Sequence, residues 1–382
     1  GSKSAVKSTG AAAGVVDVFP SLPGCELLCL LGQGSFGSVV LVRERATKAL
    51  FALKIMSKDQ LMQEDQVENV VTERQVLRDA GPHPFVVECF GGFQTETAVV
   101  LVLEYLSGGD FYDLLKEHGL LDEDQARFYL AEIVMGIGEL HAHRFALRDL
   151  KLENILLDAD GHTRLTDFGL SGKVSALGDT SIVDLSGTAI YQAPEILLKK
   201  GHGTAVDWWA LGVLAFIMMS GRPPFNAQDR TELYRLIKEH KLDFSEARNA
   251  DKWSAETKDL LDRLLDKNPE TRLGAQGVQE VMAHDFFRGV QWDRVLSMEQ
   301  TAPLPPPKTI PDDAERADAV RTAKEELKKK LQAARKNRKG VYQAIAEFEQ
   351  VHVQSRESIG LDFNNTRPAS NPSRTFQGSS QR

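Results

Sequence analysis

The stretch Leu147-Arg148-Asp149-Leu150-Lys151-Leu152-Glu153-Asn154 decides how the rest of this chain is interpreted. Phosphoryl transfer needs a carboxylate that accepts or orients a hydroxyl proton, a cation beside the transferred group and oxygen ligands for a metal ion. Asp149, Lys151 and Asn154 fit those roles in that order. Asp167 follows thirteen residues after Asn154 and offers a second metal carboxylate. Alone, the string could equally be a surface turn, so the assignment of a phosphoryl-transfer site depends on the surrounding segments.

A glycine-rich turn, Gly32-Gln33-Gly34-Ser35-Phe36-Gly37, lies near the start of the chain. It separates two β-rich runs, 27–31 and 38–42, and we therefore predict a hairpin. Glycines without a Cβ let backbone N–H groups approach a phosphate. A dinucleotide-binding fold carries the same glycine pattern, but there the glycines open a helix. The strand that follows here favours a hairpin over phosphates.

Lys54 is the sole charge in the apolar run Phe51-Ala52-Leu53-Lys54-Ile55, which we predict to be a third strand. A helix is predicted over 66–78, and it carries Glu73, nineteen residues after Lys54. Taken separately, the two are an exposed strand residue and a solvated helix residue. Beside the glycine-rich turn, Glu73 is the natural partner for a lysine held toward phosphates. Further strands over 85–93 and 98–103 complete a small, mainly antiparallel sheet with one helix.

Helical patterns dominate the chain from there to about residue 287. Ser107-Gly108-Gly109 is predicted to link the two parts. The polar segment 172–188 is predicted to be irregular, as a mobile activation segment would be. The predicted elements are helices at 110–116 and 122–141, a hairpin of 155–157 with 163–165, and a buried central helix at 207–216.

Composition and charge narrow the class of protein. At 382 residues the chain is long enough for two or three packed units. Its net charge of −8 argues against a nucleic-acid-binding protein, because such domains are usually basic. Cys25 and Cys29 could be half of a metal site, but no second pair accompanies them, so we expect reduced thiols and a cytoplasmic location. The nucleus and the cytoskeleton are alternatives. No apolar run approaches the ~20 residues that a membrane-spanning helix needs.

Taken in order, these motifs resemble a eukaryotic protein kinase from about residue 27 to residue 287. The segments 187–195, 207–209 and 268–274 resemble the AGC group of Ser/Thr kinases, which includes the cyclic-nucleotide-dependent, ribosomal-S6 and Akt-like kinases. The implied fold is α+β and two-lobed, with a small antiparallel sheet lobe and a larger, mainly helical lobe. The expected divisions are a disordered segment at 1–24, a small lobe at 25–106, a large lobe at 107–289 and an AGC-type extension at 290–382.

The resemblance implies an ATP site between the lobes, with Mg²⁺ as the cofactor. Lys54 would pair with Glu73, and Leu103 would be the gatekeeper beside the adenine. The residues implied in nucleotide binding are Leu31, Gly32, Gln33, Gly34, Ser35, Phe36, Gly37, Val39, Ala52, Lys54, Leu103, Glu104 and Leu106.

The resemblance also implies the catalytic roles. Asp149 would be the base, and Lys151 would steady the γ-phosphate. Asn154 and Asp167 would hold magnesium. Thr188 would bond Asp149 and Lys151, which is a feature of Ser/Thr rather than Tyr kinases.

The activation segment shows both the family pattern and two departures from it. Glu195 and Arg272 would form a buried ion pair that anchors it. Leu147 replaces the usual His or Tyr before Arg148 and keeps its apolar contact, so we expect activity to survive. Asp184 stands where the group has a phosphorylatable Thr or Ser, and we hypothesise that its charge pairs with Arg148. In the alternative, Asp184 is an ordinary loop residue and the phosphate goes to Thr180, Ser181 or Ser186.

Substrate preference follows from two acids. Asp110 and Glu153 lie at positions where relatives have acidic residues that bind an arginine upstream of the target Ser or Thr. The alternative is that both are ordinary charged surface residues. Arg235 sits where the cyclic-AMP-dependent enzyme carries a further acid, so a second arginine is not expected to be required.

The extension departs most from the family. Residues 312 to about 350 are predicted to form one long helix, because apolar residues recur at steps of three and four. We expect that helix to pack on the kinase or to bind a partner protein. The alternative is that it binds an acidic membrane or microtubule surface, because residues 321–339 contain nine Lys or Arg and only two Glu. Asp362-Phe363-Asn364 and Phe376 resemble remnants of the family tail, and 364–382 is predicted to be disordered.

Two other classes of protein share part of this pattern. A pseudokinase scaffold would share the fold but lose Lys54, Asp149 or Asp167, and none of these is lost. An unrelated ATP-binding protein would need a Gly-Lys-Ser/Thr run after the glycine-rich turn, and this chain has none there.

Overall fold

A computed structural model describes residues 24–307, except 34–36, 96, 177–178, 181, 183–186 and 246. Gly34, Ser35 and Phe36 of the glycine-rich turn, Asp184 and the predicted tail helix at 312–350 therefore lie outside the described residues, as does the segment 1–23. Within the described part, the chain forms a sheet lobe followed by a helical lobe. The predicted α+β, two-lobed fold class is confirmed.

The first lobe is built on a five-stranded sheet of order β1-β2-β3-β5-β4, in which every neighbouring pair is antiparallel. Side chains alternate between two apolar layers, as a strand requires. On β5, Val99 and Leu101 face the main core, whereas Val100 and Val102 face a smaller cluster on the other side. The strands are β1 (Cys25–Gln33), β2 (Gly37–Glu44), β3 (Leu50–Ser57), β4 (Cys89–Gln94) and β5 (Ala98–Glu104).

Two helices accompany this sheet in the described part of the lobe, α1 (Lys58–Gln63) and α2 (Val67–Asp79). The prediction placed α2 within one residue but missed α1. With six residues, α1 is too short to show a helical pattern of apolar residues. Its first turn is stabilised by the Ser57 side chain, which caps the helix. α2 buries Val76 and Leu77 against the sheet and carries Glu73 on the same buried side.

The predicted strand over 85–93 is wrong in its first half, because β4 begins only at Cys89. Phe85, Val86 and Val87 are buried but pair with the second lobe. Leu165 donates to Phe85 O at 2.9 Å and accepts from Val87 N at 2.9 Å. A buried crossing segment has the same apolar pattern as a buried strand, so periodicity could not separate them.

The second lobe packs around one buried helix, α6. Asp122 begins α4 with a capping box, in which it and Gln125 exchange bonds of 2.9 and 3.1 Å. The helices are α3 (Phe111–His118), α4 (Glu123–Ala142), α5 (Pro194–Leu198), α6 (Ala205–Ser220), α7 (Arg230–Glu239), α8 (Ala255–Leu264), α9 (Val278–Met282) and α10 (Trp292–Leu296). Across residues 24–307, outside the gaps given above, no helix is long and apolar enough to cross a membrane.

Four short strands shape the face of the second lobe that meets the sheet. They are β6 (Phe145–Ala146), β7 (Ile155–Leu157), β8 (Thr163–Leu165) and β9 (Gly172–Lys173). β7 and β8 form the predicted hairpin, and β6 pairs with β9. The stretch 147–154 is thereby held as a loop between β6 and β7, at the mouth of the cleft.

Candidate active site

The loop after β6 is fixed from below by a buried carboxylate on α6. Asp207, fully buried, accepts from the Leu147 N–H at 2.8 Å and the Arg148 N–H at 2.7 Å. His141 Nε2 lies 2.7 Å from the same side chain. Arg148 has a φ of +70°, a region that non-glycine residues rarely adopt. These two backbone bonds therefore hold a strained turn in place. The sequence offered little indication of this role, since it showed Asp207 only as an acidic residue at the start of an apolar helix.

Asp149 is the centre of a network that joins four of the predicted residues. Lys151 Nζ donates to Asp149 Oδ2 at 2.5 Å, and Asn154 Nδ2 donates to Asp149 Oδ2 at 3.1 Å and to Asp149 O at 2.9 Å. Thr188 donates to Asp149 Oδ1 through its backbone N–H and its hydroxyl, both at 3.2 Å. Lys151 Nζ is also 3.5 Å from Thr188 Oγ1. The carboxylate is thus oriented from three directions.

Lys54 faces this network from the sheet lobe. Its Nζ lies 2.6 Å from Glu73 Oε1 and 2.9 Å from Asp167 Oδ1, so the predicted pairing with Glu73 is present. Burial lowers the pKa of Lys54, but the two carboxylates outweigh it and hold that pKa above its usual value. The charge of Lys54 in turn lowers the pKa of Asp167. Both groups are therefore ionised at neutral pH.

Asn154 and Asp167 offer the hard oxygen atoms that Mg²⁺ prefers. Both amide hydrogens of Asn154 are used by Asp149, which leaves the amide oxygen for a metal. The Asp167 side chain is half exposed toward the cleft. In the described segments, no three His, Cys, Asp or Glu side chains converge as a metal cage. One carboxylate and one amide suit Mg²⁺, which takes its other ligands from water and substrate phosphates.

Several of the described residues that are predicted to bind nucleotide pair across neighbouring strands of the sheet. Ala52 pairs with Leu103 across β3 and β5, and Val39 pairs with Lys54 across β2 and β3. Leu31 is 38% exposed above them, whereas Leu106 is buried in the main core below. Gln33 pairs with Ser38 where β1 and β2 lead into the glycine-rich turn.

Two glycines of the turn differ in what they accommodate. A Cβ at Gly37 would lie 2.0 Å from Ile55 O, so the sheet itself requires glycine there. A Cβ at Gly32 would meet nothing within 4 Å. Gly32 therefore borders open space among the described residues.

Glu104 directs its side chain away from the cleft. Its Oε1 accepts from the Glu88 N–H at 2.8 Å, and Arg164 Nε lies 3.7 Å away. Arg164 Nη2 also lies 3.3 Å from Asp158 Oδ2. The side chain of Glu104 thus ties β5 to Glu88 and Arg164, and only its backbone stays a candidate for the predicted nucleotide contact.

The activation segment ends at a buried ion pair, as predicted. Arg272 is fully buried and meets Glu195 with two parallel bonds, Nη1–Oε1 at 2.7 Å and Nη2–Oε2 at 2.9 Å. It also donates to Asp266 O at 3.0 Å and Ala205 O at 2.8 Å. Asp184 lies outside the described residues, so its pairing with Arg148 stays a prediction. Leu147 and Phe168 are both buried in the main apolar core.

The two predicted substrate acids differ in environment. Asp110 caps α3 by accepting from the Asp113 N–H at 2.8 Å, whereas Glu153 is exposed. Burial raises the pKa of Asp110, and the nearby charges of Asp113 and Glu153 raise it further. The two carboxylates thus form one acidic patch. Arg235 is held by Glu232, with Nη2–Oε1 at 2.7 Å.

Two lobes around a cleft that carries Lys54, Asp149 and Asp167 define the class of protein kinases. The family described as Protein kinase domain matches residues 25–287, and the chain belongs to that family.

Curated relatives indicate which group of protein kinases the chain resembles. The chain is 41% identical over 302 residues to Ribosomal protein S6 kinase alpha-6 of Homo sapiens, covering 78% of this chain and 40% of the relative. It is 41% identical over 300 residues to RAC-beta serine/threonine-protein kinase A of Xenopus laevis, covering 78% of this chain and 60% of the relative. The predicted resemblance to AGC-group kinases is confirmed, and the chain spans about half the length of these relatives.

Proposed function

We propose that this chain is an ATP-dependent protein kinase that transfers the γ-phosphate to Ser or Thr of protein substrates. The Asp149 network carries the proposal, because it brings an oriented carboxylate, the cation of Lys151 and the hydroxyl of Thr188 to one point. The ion pair of Lys54 and Glu73 faces it across the cleft. A relative with 41% identity is named a serine/threonine-protein kinase, which supports the same reaction.

The proposed roles follow from the geometry. Asp149, oriented by Thr188 and Asn154, would accept or orient the proton of the attacking hydroxyl. Lys151 and Lys54 would place fixed positive charge on two sides of the transferred group. Phosphoryl transfer needs little covalent help, so positioning and charge neutralisation supply most of the rate enhancement.

Asn154 and Asp167 are proposed to hold Mg²⁺ through oxygen atoms. When bound, that ion would neutralise charge on the phosphates. The depressed pKa of Asp167 keeps its carboxylate ionised, and hence able to bind a cation, at any pH near neutrality.

The proposed substrates carry a basic residue upstream of the target Ser or Thr. The exposed Glu153, with Asp110 beside it, supports this because the pair concentrates negative charge on the face next to the Asp149 loop. Glu153→Ala is expected to raise the KM for an arginine-containing peptide and to leave the KM for ATP unchanged.

Transfer of labelled phosphate from ATP to an arginine-containing Ser peptide tests the proposal. Wild-type protein should label the peptide, and Asp149→Ala and Lys54→Met should abolish labelling while both variants keep the wild-type circular dichroism. A Lys252→Met variant, which changes an exposed lysine outside both the activation segment and the Asp149 network, is the matched control. Wild-type protein that binds ATP without labelling any peptide would make the chain a pseudokinase scaffold. Equal labelling of peptides with and without arginine would overturn the proposed substrate preference but not the proposed kinase activity.

The tail beyond residue 307 lies outside the described residues. Partner binding through the predicted helix at 312–350 and a cytoplasmic location are proposals that rest on the sequence alone.

A further inference from the structure

The turn before α6 makes backbone contact with the activation segment. His202 donates from its N–H to Ile182 O at 2.9 Å, and Ile182 donates to His202 O at 3.4 Å. His202 is buried. These two residues form an isolated antiparallel bridge between parts of the chain that share no sheet.

Two glycines flank this bridge and admit the activation segment at unusually short range. A Cβ at Gly201 would lie 2.1 Å from Thr180 O, and a Cβ at Gly203 would lie 1.9 Å from Asp179 O. Real Cβ atoms essentially never come within 3.0 Å of such atoms. Gly201 also has a φ of +80°. Only glycine therefore allows both carbonyls to rest on this turn.

The same segment reaches toward the catalytic loop on its other side. A Cβ at Gly172 would lie 2.5 Å from Ile182 Cδ1 and 3.0 Å from Arg148 Nη1. Ile182 thus sits between the turn before α6 and the residue that precedes Asp149. Close by, Asp179 Oδ2 accepts from the Ser175 N–H at 2.7 Å and hydroxyl at 2.6 Å.

We propose that Gly201-His202-Gly203 is a latch that holds residues 179, 180 and 182 against the large lobe and so positions the surface that receives a protein substrate. Gly201 and Gly203 are then positioning residues. The inference rests on the proposed kinase function for its effect on activity. The latch consists of main-chain atoms and close packing, so it needs no added phosphate, and it is separate from any charge at position 184.

Amide hydrogen exchange on the full chain tests the latch directly. Gly203→Ala and Gly201→Ala should each raise exchange in the fragment that covers 179–182 by about tenfold or more, because the backbone bonds to position 202 are lost. Exchange in α2 and the sheet should stay at the wild-type rate. Gly289→Ala is the matched control, since Gly289 has a φ of +88° with nothing within 4 Å of an added Cβ.

Kinetics give the second readout. Both glycine variants should raise the peptide KM about tenfold, because a displaced segment misplaces the substrate surface, while the Kd for ATP stays unchanged. Ile182→Ala, which shortens the side chain resting on Gly172, should act in the same direction, and it keeps the test valid where a glycine variant does not fold.

The outcomes separate the two proposals. If wild-type protein transfers no phosphate but the glycine variants still raise exchange at 179–182, the latch holds and the kinase proposal fails. Wild-type exchange at 179–182 in Gly201→Ala, Gly203→Ala and Ile182→Ala would overturn the latch, whatever the activity. A loss of ATP binding that matches the rise in peptide KM would also overturn it, since the effect would not be local.

Discussion

Two residues at the centre of the site adopt backbone conformations that their side chains disfavour. Arg148 has a φ of +70° and Asp167 a φ of +60°. Each such residue costs roughly 1–3 kcal/mol and persists only where the surroundings determine it. Asp207 supplies that restraint for Arg148, and the bond to Lys54 supplies part of it for Asp167. At these two positions the restraint therefore fixes a backbone geometry that the site uses.

At this scale we predict that Asp207→Asn lowers kcat far more than it alters the KM for ATP. An amide has one acceptor oxygen, so its NH₂ group would face the backbone N–H of Leu147 or Arg148 and leave a buried donor unsatisfied. That change costs about 1–3 kcal/mol of folding free energy, and about a hundredfold in kcat if the Asp149 loop shifts by roughly 1 Å. Urea unfolding and steady-state kinetics would measure both.

Asp160→Asn, in the exposed turn between β7 and β8, is the control for losing one negative charge. An Asp207→Asn protein with wild-type kcat would show that the loop holds its shape without this carboxylate.

At the scale of elements, one lysine joins three parts of the large lobe. Lys267 Nζ donates to Ile237 O on α7 at 2.8 Å and lies 3.8 Å from the Phe225 ring centre and 4.7 Å from that of Trp209 on α6. Burial, with the nearby charge of Arg272, lowers the pKa of Lys267 to about 7. The two rings favour the ammonium form and so limit the effect.

The sign of the resulting pH dependence is fixed. Lysine in an unfolded chain has a pKa of about 10.4. Between pH 7 and that value, the unfolded chain binds a proton that the folded protein does not, so stability rises with pH across this window. The unfolding free energy of wild-type protein minus that of Lys267→Met should therefore increase from pH 7 to pH 10. Parallel curves for the two proteins would contradict this, and the exposed Lys252→Met is the control.

The sequence predicted elements well where one period dominated, as in α2, and where turn residues separate two apolar runs, as in the hairpin of β7 and β8. It failed where tertiary partners decided the structure. The apolar segment 85–87 forms backbone hydrogen bonds with Leu165, which lies about eighty residues later in the chain. The local sequence contains no pattern that identifies this partner. Six-residue α1 carries too little periodicity to be recognised.

The site shows the same division. Lys54, Glu73 and Asp149 were identified by residue type and order, and the structure brings them to one cleft. Asp207 was not assigned a role, because its function comes from accepting backbone bonds of a loop sixty residues earlier. The latch glycines were missed for a similar reason, since the carbonyls that they admit belong to another segment.

At the scale of the whole molecule, the lobes are joined by more than the linker. The bonds of Leu165 join them directly, and the linker itself is fixed to the large lobe, because Gly108 N–H donates to Leu157 O and Leu157 N–H donates to Gly109 O, both at 2.9 Å. Arg164 adds a charge link between Glu104 of the sheet and Asp158 of the large lobe. Neither lobe can unfold without exposing these buried groups, so the two should unfold together.

The distribution of two residue types makes this measurable. All four tryptophans, Trp208, Trp209, Trp253 and Trp292, lie in the large lobe, and all three cysteines, Cys25, Cys29 and Cys89, lie in the small lobe. In a urea titration, tryptophan fluorescence and cysteine labelling should report the same midpoint. Cysteines that become reactive well before the fluorescence changes would mean that the lobes unfold independently.

The contrast between Gly32 and Gly37 has a practical consequence. Gly37 cannot change without displacing Ile55, whereas Gly32 faces room that a side chain could fill. A Gly32→Leu protein would therefore keep both lobes and its protein-binding surfaces while obstructing the space over the sheet. Under the proposed kinase function, this variant would separate cellular effects of protein binding from effects of ATP use, whereas Asp149 variants would still bind ATP and could not make that distinction.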